Sequence, residues 1–406
     1  MKILFLHDNF PAQFGKYGQF LQDRGWQIAF GTKRKNAEQR GFHVFNYDAH
    51  RENTEGLHPY VANFERACIN GQGAAREMVG LRDKGYFPDV VMAHSGWGPG
   101  MFVKDVWPRT TYISYQEWYY QPHGSDVVFL SAVDGSLDTM LRSRTRNATI
   151  LTDLAACDGA LTPTKFQHTT FPEGFNEKLR VFHDGVDIDS FAPAPGTTFK
   201  YKEIDLSDAT EVITYVARGM EPYRGFPEFM AACEILLRER PDAHVVVVGQ
   251  DRSAYGKPLP DGDTFKKKAL REHSFDEQRL HFTGLLPRQD YRRLLLASSV
   301  HVYLTVPFVL SWSMMEAMST GCALVASDVA PVREIIGGTP NAARLVDHRN
   351  PQEIATAVQA LLDDPDERRA LGVNARDIIV RRYSEQDLMT AKTHWLTDLV
   401  EQNRAP

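Results

Sequence analysis

At 406 residues the chain is long enough for two domains of ordinary size, and with 43% hydrophobic and 24% charged residues it has a globular, not a disordered or fibrous, composition. The formal net charge of -6 divides into -2 over residues 1–190 and -4 over the rest, so neither half carries the basic surface of a nucleic-acid binder. The four cysteines are scattered without metal-ligand spacing, which excludes a zinc module and reads as buried thiols in a reducing compartment; no apolar run approaches the length of a membrane span.

Short apolar runs alternate with helical patterns along the chain, the pattern of parallel sheets with crossover helices. Residues 3–6 form the first strand, broken by His7-Asp8-Asn9, so the opening reads as a strand and not a signal peptide. The turn Phe10-Pro11-Ala12-Gln13-Phe14-Gly15 follows, then a helix from Tyr17. Further strands are expected at 27–30, 90–93, 111–114, 159–161 and 179–182. The strand at 90–93 runs into His94, and the strand at 111–114 into Tyr115-Gln116-Glu117. Trp118, Tyr119 and Tyr120 belong to an aromatic loop expected to fold onto its own domain. The stretch 183–189, His-Asp-Gly-Val-Asp-Ile-Asp, is turn-rich and followed by Pro193 and Pro195. It sets a hinge and divides the chain into domains 1–189 and 190–383. In the second domain, strands are expected at 212–216, 244–248, 280–282, 300–304 and 323–326. A closing segment, 384–406, is a helix capped by Ser384, with Leu388, Met389, Trp395, Leu396 and Leu399 on its apolar face.

The stretch from 300 to 326 is the most informative. After the strand comes a turn containing Pro307, then Ser311 as N-cap, a helix from Trp312 to Thr320, and Gly321 as its stop. The open N–H groups of the first turn, at Leu310, Ser311 and Trp312, form an anion site. Glu316 lies one turn inside the helix on the same side, where a carboxylate can accept hydrogen bonds from sugar hydroxyls. Phosphate on the helix end and ribose on the glutamate describe a site for a nucleoside diphosphate. The strand at 212–216 ends in Ala217-Arg218-Gly219, followed by Glu221-Pro222-Tyr223-Arg224-Gly225. Two cations at the carboxyl edge of a parallel sheet suit a phosphate. A surface ion pair between Arg224 and Glu221 is, from these residues alone, an equal alternative.

Taken together, these motifs resemble the signature of the retaining glycosyltransferases of family 4. In that family two glutamates are separated by seven residues, and the second sits in a helix ending Ala-Met-small-x-Gly. Glu316 stands at the second position and Phe308 at the first; Ser311 stands where the family often has Gly. The family's Arg, followed five or six residues later by Lys-Gly, is matched by Arg218 and Arg224-Gly225 with Arg for Lys. The resemblance implies that both cations meet the β-phosphate of the leaving nucleotide, where charge grows as the sugar departs. It also implies a Gly-rich loop after strand one, of which Gly15 is present without an adjacent second glycine. It places His94 at a strand end against donor or acceptor hydroxyls, and Gln116 or Glu117 where another family histidine contacts the transferred sugar.

The resemblance covers nearly the whole chain. It implies the α/β GT-B architecture, two Rossmann-like doubly wound parallel-sheet domains facing each other across a cleft, with the last helix returning to the first domain. The first domain is then the acceptor side and the second binds the nucleotide sugar. The implied activity is a retaining, metal-independent hexosyl transfer from a nucleotide-diphosphate sugar to a glycan or lipid-linked oligosaccharide acceptor, as in cell-surface polysaccharide synthesis. The implied place is the cytoplasm, with peripheral contact at the inner face of the membrane. No cofactor, metal or nucleic-acid partner is expected. Asp187-Ile188-Asp189 looks like the metal pair of another glycosyltransferase class but lies in the hinge. The stretch from Gly249 to Gly256-Lys257-Pro258 looks like a phosphate loop but has the wrong spacing and Pro for Ser/Thr. Three alternatives remain: a nucleotide-sugar epimerase, for which no acid/base pair is evident; a nicotinamide oxidoreductase, which needs a glycine fingerprint missing after strand one; and a non-catalytic sugar-nucleotide binding protein, which Phe308 keeps open.

Overall fold

The computed structural model describes residues 1–123, 126–130, 136–337 and 341–404. The chain divides into two compact units, Met1–Gly185 with Gln386–Pro406, and Val186–Glu385. Residues 405–406 of the expected closing segment lie outside the described residues.

The first unit is built on seven parallel strands: β1 (Lys2–Leu6), β2 (Gln27–Thr32), β3 (Phe42–Asn46), β4 (Val90–His94), β5 (Thr111–Tyr115), β6 (Gly159–Thr162) and β7 (Leu179–Val181). Their order is β3-β2-β1-β4-β5-β6-β7. Successive residues of a strand point to opposite faces, and both faces here are covered. Leu4, Leu6, Val91, Ala93 and Tyr112 enter one core. Ile3, Phe5, Val90, Met92 and Ile113 enter the other. That second core is closed by the last helix, Glu385–Arg404, through Met389, Leu396 and Val400. Tyr17 Oη and Thr393 Oγ1 lie 3.1 Å apart, and Asn403 Nδ2 donates to Thr111 Oγ1 at 3.2 Å. The helix after β1 starts at Phe14, three residues before the expected Tyr17. The unexpected strand β3 is a half-exposed edge whose His43 and Asn46 break the apolar pattern.

In the second unit a two-residue antiparallel ribbon, β8 (Lys200–Tyr201) and β9 (Ile204–Asp205), precedes six parallel strands. These are β10 (Glu211–Gly219), β11 (Ala243–Gln250), β12 (Leu280–Gly284), β13 (Val300–Tyr303), β14 (Ala323–Ser327) and β15 (Arg344–Val346), in the order β12-β11-β10-β13-β14-β15. Ile213, Tyr215, Val245, Val247, Val302 and Val325 form its main core. The edge strand β15, with only three residues, was not expected.

Each sheet reverses its winding once, between β1 and β4 in the first unit and between β10 and β13 in the second. Loops at the carboxyl ends of the strands diverge there and leave an opening for a ligand.

Candidate active site

In the second unit the residues expected to bind the donor gather at the β10/β13 reversal. Helix Trp312–Thr320 begins after Ser311, whose extended backbone (φ -86°, ψ 143°) and hydroxyl cap it by accepting the Ser313 N–H at 3.3 Å. Gly321 ends it in the left-handed conformation. The expectation of an open N–H at Ser311 is corrected: it donates to the Tyr303 hydroxyl at 2.8 Å, which ties the start of the helix to the end of β13. Trp312 is exposed beside this first turn, and Leu310 is half-buried in the loop before it. Glu316 follows one turn in. Its Oε2 accepts from the Tyr291 hydroxyl at 2.8 Å, and its Oε1 lies 3.8 Å from the Arg288 guanidinium. Tyr291 and Arg288 are one turn apart on helix Arg288–Ala297, and neither was singled out in the sequence. Their i, i+3 spacing on one helix face was the available signal.

Arg218 and Arg224 both follow β10 but have different surroundings. Arg218 is exposed and has no ion pair among the described residues. Arg224 is only 3% exposed. Its Nη1 donates to Thr305 Oγ1 at 2.7 Å and to the Tyr303 hydroxyl at 3.3 Å, and its Nη2 donates to the Val309 carbonyl at 2.9 Å. The expectation that Arg224 presents its guanidinium to a ligand is therefore corrected: its planar fork is committed to the loop that leads to Ser311. The alternative of a surface ion pair with Glu221 is corrected as well. Glu221 is fully buried, and its carboxylate accepts the N–H groups of Ala254, Tyr255 and Gly256 at 2.7–3.0 Å. The stretch that looked like a phosphate loop thus binds an anion, its own glutamate. Gly225 sits next to Arg224 with φ 60°, and a Cβ there would lie 2.6 Å from Leu304 Cβ, so only glycine lets this turn approach β13.

In the first unit His94 ends β4 and His7 follows β1, on the two sides of the reversal, with ring centroids 4.6 Å apart. Both are buried. His94 Nδ1 lies 2.8 Å from the Ser95 carbonyl, and its Nε2 lies 3.6 Å from Glu117 Oε2. Burial, reinforced by His94, pushes the His7 imidazole down to about 2. His7 was missed in the sequence; its place directly after the first strand was the clue. Glu117 also accepts from Gln13 Nε2 at 3.2 Å. Gln116 corrects another expectation. It is fully buried and its amide donates to Ser114 Oγ at 2.8 Å, so it faces the domain interior and Glu117 takes the place beside His94. Gly15 lies inside the first helix, where a Cβ would meet Pro11 Cβ at 2.5 Å; the glycine serves close packing of the turn. Asp187 of the hinge is used locally, accepting the Ser190 N–H at 2.9 Å. Trp118 is buried, and Asn147 Nδ2 donates to the Tyr120 carbonyl at 2.8 Å, which folds the aromatic loop onto its own unit. Three cysteines are buried; Cys68 is half-exposed.

Residues 24–191 match the model of the glycosyl transferase family 4 group, and residues 198–378 match that of glycosyl transferases group 1. Among curated proteins the chain is similar to the MMP alpha-(1->4)-mannosyltransferase of Mycolicibacterium hassiacum, 27% identical over 212 residues, 52% of this chain and 46% of that one. It is also similar to the phosphatidyl-myo-inositol mannosyltransferase of Mycolicibacterium smegmatis, 29% identical over 205 residues, 49% of this chain and 47% of that one. The chain thus spans about half the length of the curated relatives it matches. Among solved structures, the sucrose-phosphate synthase of Thermosynechococcus elongatus has a TM-score of 0.73 at 15% identity, covering 99% of this chain and 100% of that one. HepE of Anabaena, in complex with UDP and glucose, has a TM-score of 0.71 at 16% identity, covering 98% and 100%. At these identities the likeness is one of fold, the two-Rossmann GT-B architecture.

Proposed function

The chain belongs to the group 1, family 4 glycosyltransferases, and from that premise we propose that it is a retaining, metal-independent glycosyltransferase that moves a hexosyl group from a nucleotide-diphosphate sugar. The observation that carries this reading is the capped helix Trp312–Thr320 at the β10/β13 reversal, with Glu316 one turn inside it. First-turn N–H groups suit the diphosphate, and Glu316, oriented by Tyr291 and Arg288, suits the ribose hydroxyls. Arg218 is the cation that meets the leaving phosphate. Arg224 acts from below: it fixes the loop from Thr305 to Val309 and keeps a permanent positive charge under the site. The reaction is a same-face displacement in which the departing phosphate takes the acceptor proton and the protein supplies position and charge.

The first unit takes the acceptor. His94, held between Ser95 and Glu117, is the group there to bind a hydroxyl. The lipid in the name of one relative, the phosphatidyl-myo-inositol mannosyltransferase, favours a lipid-linked acceptor, met at the inner face of a membrane; no helix among the described residues is long and apolar enough to cross one. The test is release of nucleoside diphosphate from a donor panel with and without candidate acceptors. Acceptor-dependent release supports transfer. Binding of the donor without release would make the chain a sugar-nucleotide binding protein.

A further inference from the structure

At the winding reversal of the first unit, the neighbouring strands β2, β1 and β4 lead into Lys33, Asp8 and Trp97 at one edge of the sheet. Asp8 Oδ1 accepts from the Tyr47 hydroxyl at 2.9 Å. Its Oδ2 faces the Lys33 ammonium at 3.6 Å, too long for a hydrogen bond, and has no nearer donor among the described residues. Burial pushes the Asp8 carboxyl up from its ordinary value even with Lys33 and Tyr47 beside it, as expected of a carboxylate short of donors. Asn70 is 2% exposed; its Oδ1 accepts from Lys33 Nζ at 3.1 Å, and its Nδ2 donates to the Trp97 carbonyl at 3.1 Å. One buried carboxamide thus ties the ammonium to the loop that carries the indole.

Trp97 itself is 51% exposed, in a loop fixed through its backbone. Gly98 after it has φ 99° and lies so close to helix Ala62–Asp83 that a Cβ would run into the Ala67 carbonyl. The indole centroid is 6.5 Å from that of the His94 ring, which in turn is 4.6 Å from His7, the chain neighbour of Asp8. Indole, imidazole and the Asp8–Lys33 pair therefore line one stretch of strand ends, where open parallel sheets bind their ligands.

The pair selects by charge. A hydroxyl group bridges it, donating to Asp8 Oδ2 and accepting from Lys33 Nζ. A phosphate or carboxylate only accepts, and sets its own charge against Asp8 and against Glu117 beside His94. An ammonium only donates, and meets Lys33. The exposed indole adds a flat apolar surface, the complement of the C–H face of a pyranose. A lipid tail would cover the indole and leave the polar pair unbridged.

We infer that this edge of the first unit binds an uncharged pyranose, the terminal residue of a glycan acceptor, with a hydroxyl between Asp8 and Lys33 and the ring against Trp97. The inference gives the acceptor reading above a substrate class, and rests on that reading for the sugar's part in transfer.

Saturation-transfer NMR titrations on the whole chain compare the methyl glycosides of glucose, galactose and mannose with those of the matching uronic acids. The expected result is binding of at least one neutral glycoside with Kd on the order of 1 mM, with saturation strongest on its ring C–H protons, and binding of its uronic acid weaker by about tenfold or more. Trp97→Ala weakens the neutral glycoside roughly three- to tenfold while Trp97→Phe retains most of the affinity, and Asp8→Asn weakens it about tenfold. Thermal unfolding of each variant verifies that it is folded. Preference for the uronic acid, binding that neither Trp97→Ala nor Asp8→Asn weakens, or no binding of any neutral glycoside overturns the inference. Nucleoside diphosphate release with the bound glycoside present tests the acceptor reading separately: binding without stimulated release supports the sugar site and sinks its part in transfer.

Discussion

Arg224 offers the sharpest test, because charge and shape make opposite demands on its replacement by lysine. A point cation is all a phosphate needs, and lysine supplies one. The structure instead uses the fork, with one arm on Thr305 Oγ1 at 2.7 Å and the other on the Val309 carbonyl at 2.9 Å. The contact with Tyr303 at 3.3 Å adds less. A hydrogen bond from a charged group contributes about 1.5–3 kcal/mol, and the lower figure suits a buried guanidinium whose desolvation is recovered on removal. Arg224→Ala then costs about 3 kcal/mol for two bonds, and Arg224→Lys about 1.5 kcal/mol for one. In a unit of this size, 1 kcal/mol moves Tm by roughly 2–4 °C, so the losses are about 6–12 °C and 3–6 °C. If the loop from Thr305 to Ser311 must hold the first turn of the helix in place, kcat falls with it: about tenfold for lysine, and on the order of 10²–10³ for alanine. Steady-state kinetics on nucleoside diphosphate release, with thermal unfolding of the same samples, read both quantities. An Arg224→Lys variant with native kcat and native Tm refutes the reasoning, since charge alone would then suffice.

Four further outcomes are expected. Arg218→Ala lowers kcat by on the order of 10²–10³ with a smaller change in donor KM, because charge on the leaving phosphate is greatest in the transition state; equal losses of binding and turnover in steady-state kinetics count against it. Glu316→Ala weakens nucleoside diphosphate binding about ten- to a hundredfold by calorimetry, the worth of one charge-assisted hydrogen bond, and an unchanged Kd sinks the assignment. EDTA leaves turnover intact; loss that is restored by Mn²⁺ or Mg²⁺ contradicts the metal-independent reading. Burial pushes the His301 imidazole down from 6.5 to about 3, so between these values the unfolded chain binds a proton that the folded chain refuses, and stability is lost as pH falls. His301→Gln should therefore flatten the acid side of the urea-denaturation profile by about 1.4 kcal/mol per pH unit in that window; an unchanged slope rejects the mechanism.

What could be read from the sequence was what nearest neighbours in the chain determine. The helix at 312–320 was legible because Ser311 and Gly321 mark its ends by local hydrogen bonding and backbone freedom. The strand at 90–93 was legible because a parallel strand covered on both faces must be apolar throughout. Strand β3 was not, since an edge tolerates His43 and Asn46, and three residues at β15 are too few for any period to emerge. The candidate site divides along the same line. Glu316 and the capped helix belong to one local segment, whereas the partners of Arg224 lie 79 to 85 residues away and those of Glu221 lie 33 to 35 away. Three residues apart in sequence, Arg224 and Glu221 suggested a pair; only the meeting of β10, β11 and β13 determines where each side chain goes.

That separation has an electrostatic consequence. Had Arg224 and Glu221 paired, their fields would largely cancel at the carboxyl end of β10. Instead the glutamate's charge is held by three backbone N–H groups on the β11 side, and the arginine by a hydroxyl and a carbonyl on the β13 side, so the two charges stand apart. Neutral dipoles satisfy the hydrogen-bonding capacity of a cation without removing its net charge. In a buried setting that charge is weakly screened. The β13 side of the reversal, where Ser311 starts its helix, therefore keeps a positive potential from two sources: the fixed guanidinium below and the helix end above. Both are in place before any ligand arrives, so neither must reorganise as negative charge builds on a departing diphosphate, and this prepayment is what makes such a site lower a barrier as well as bind.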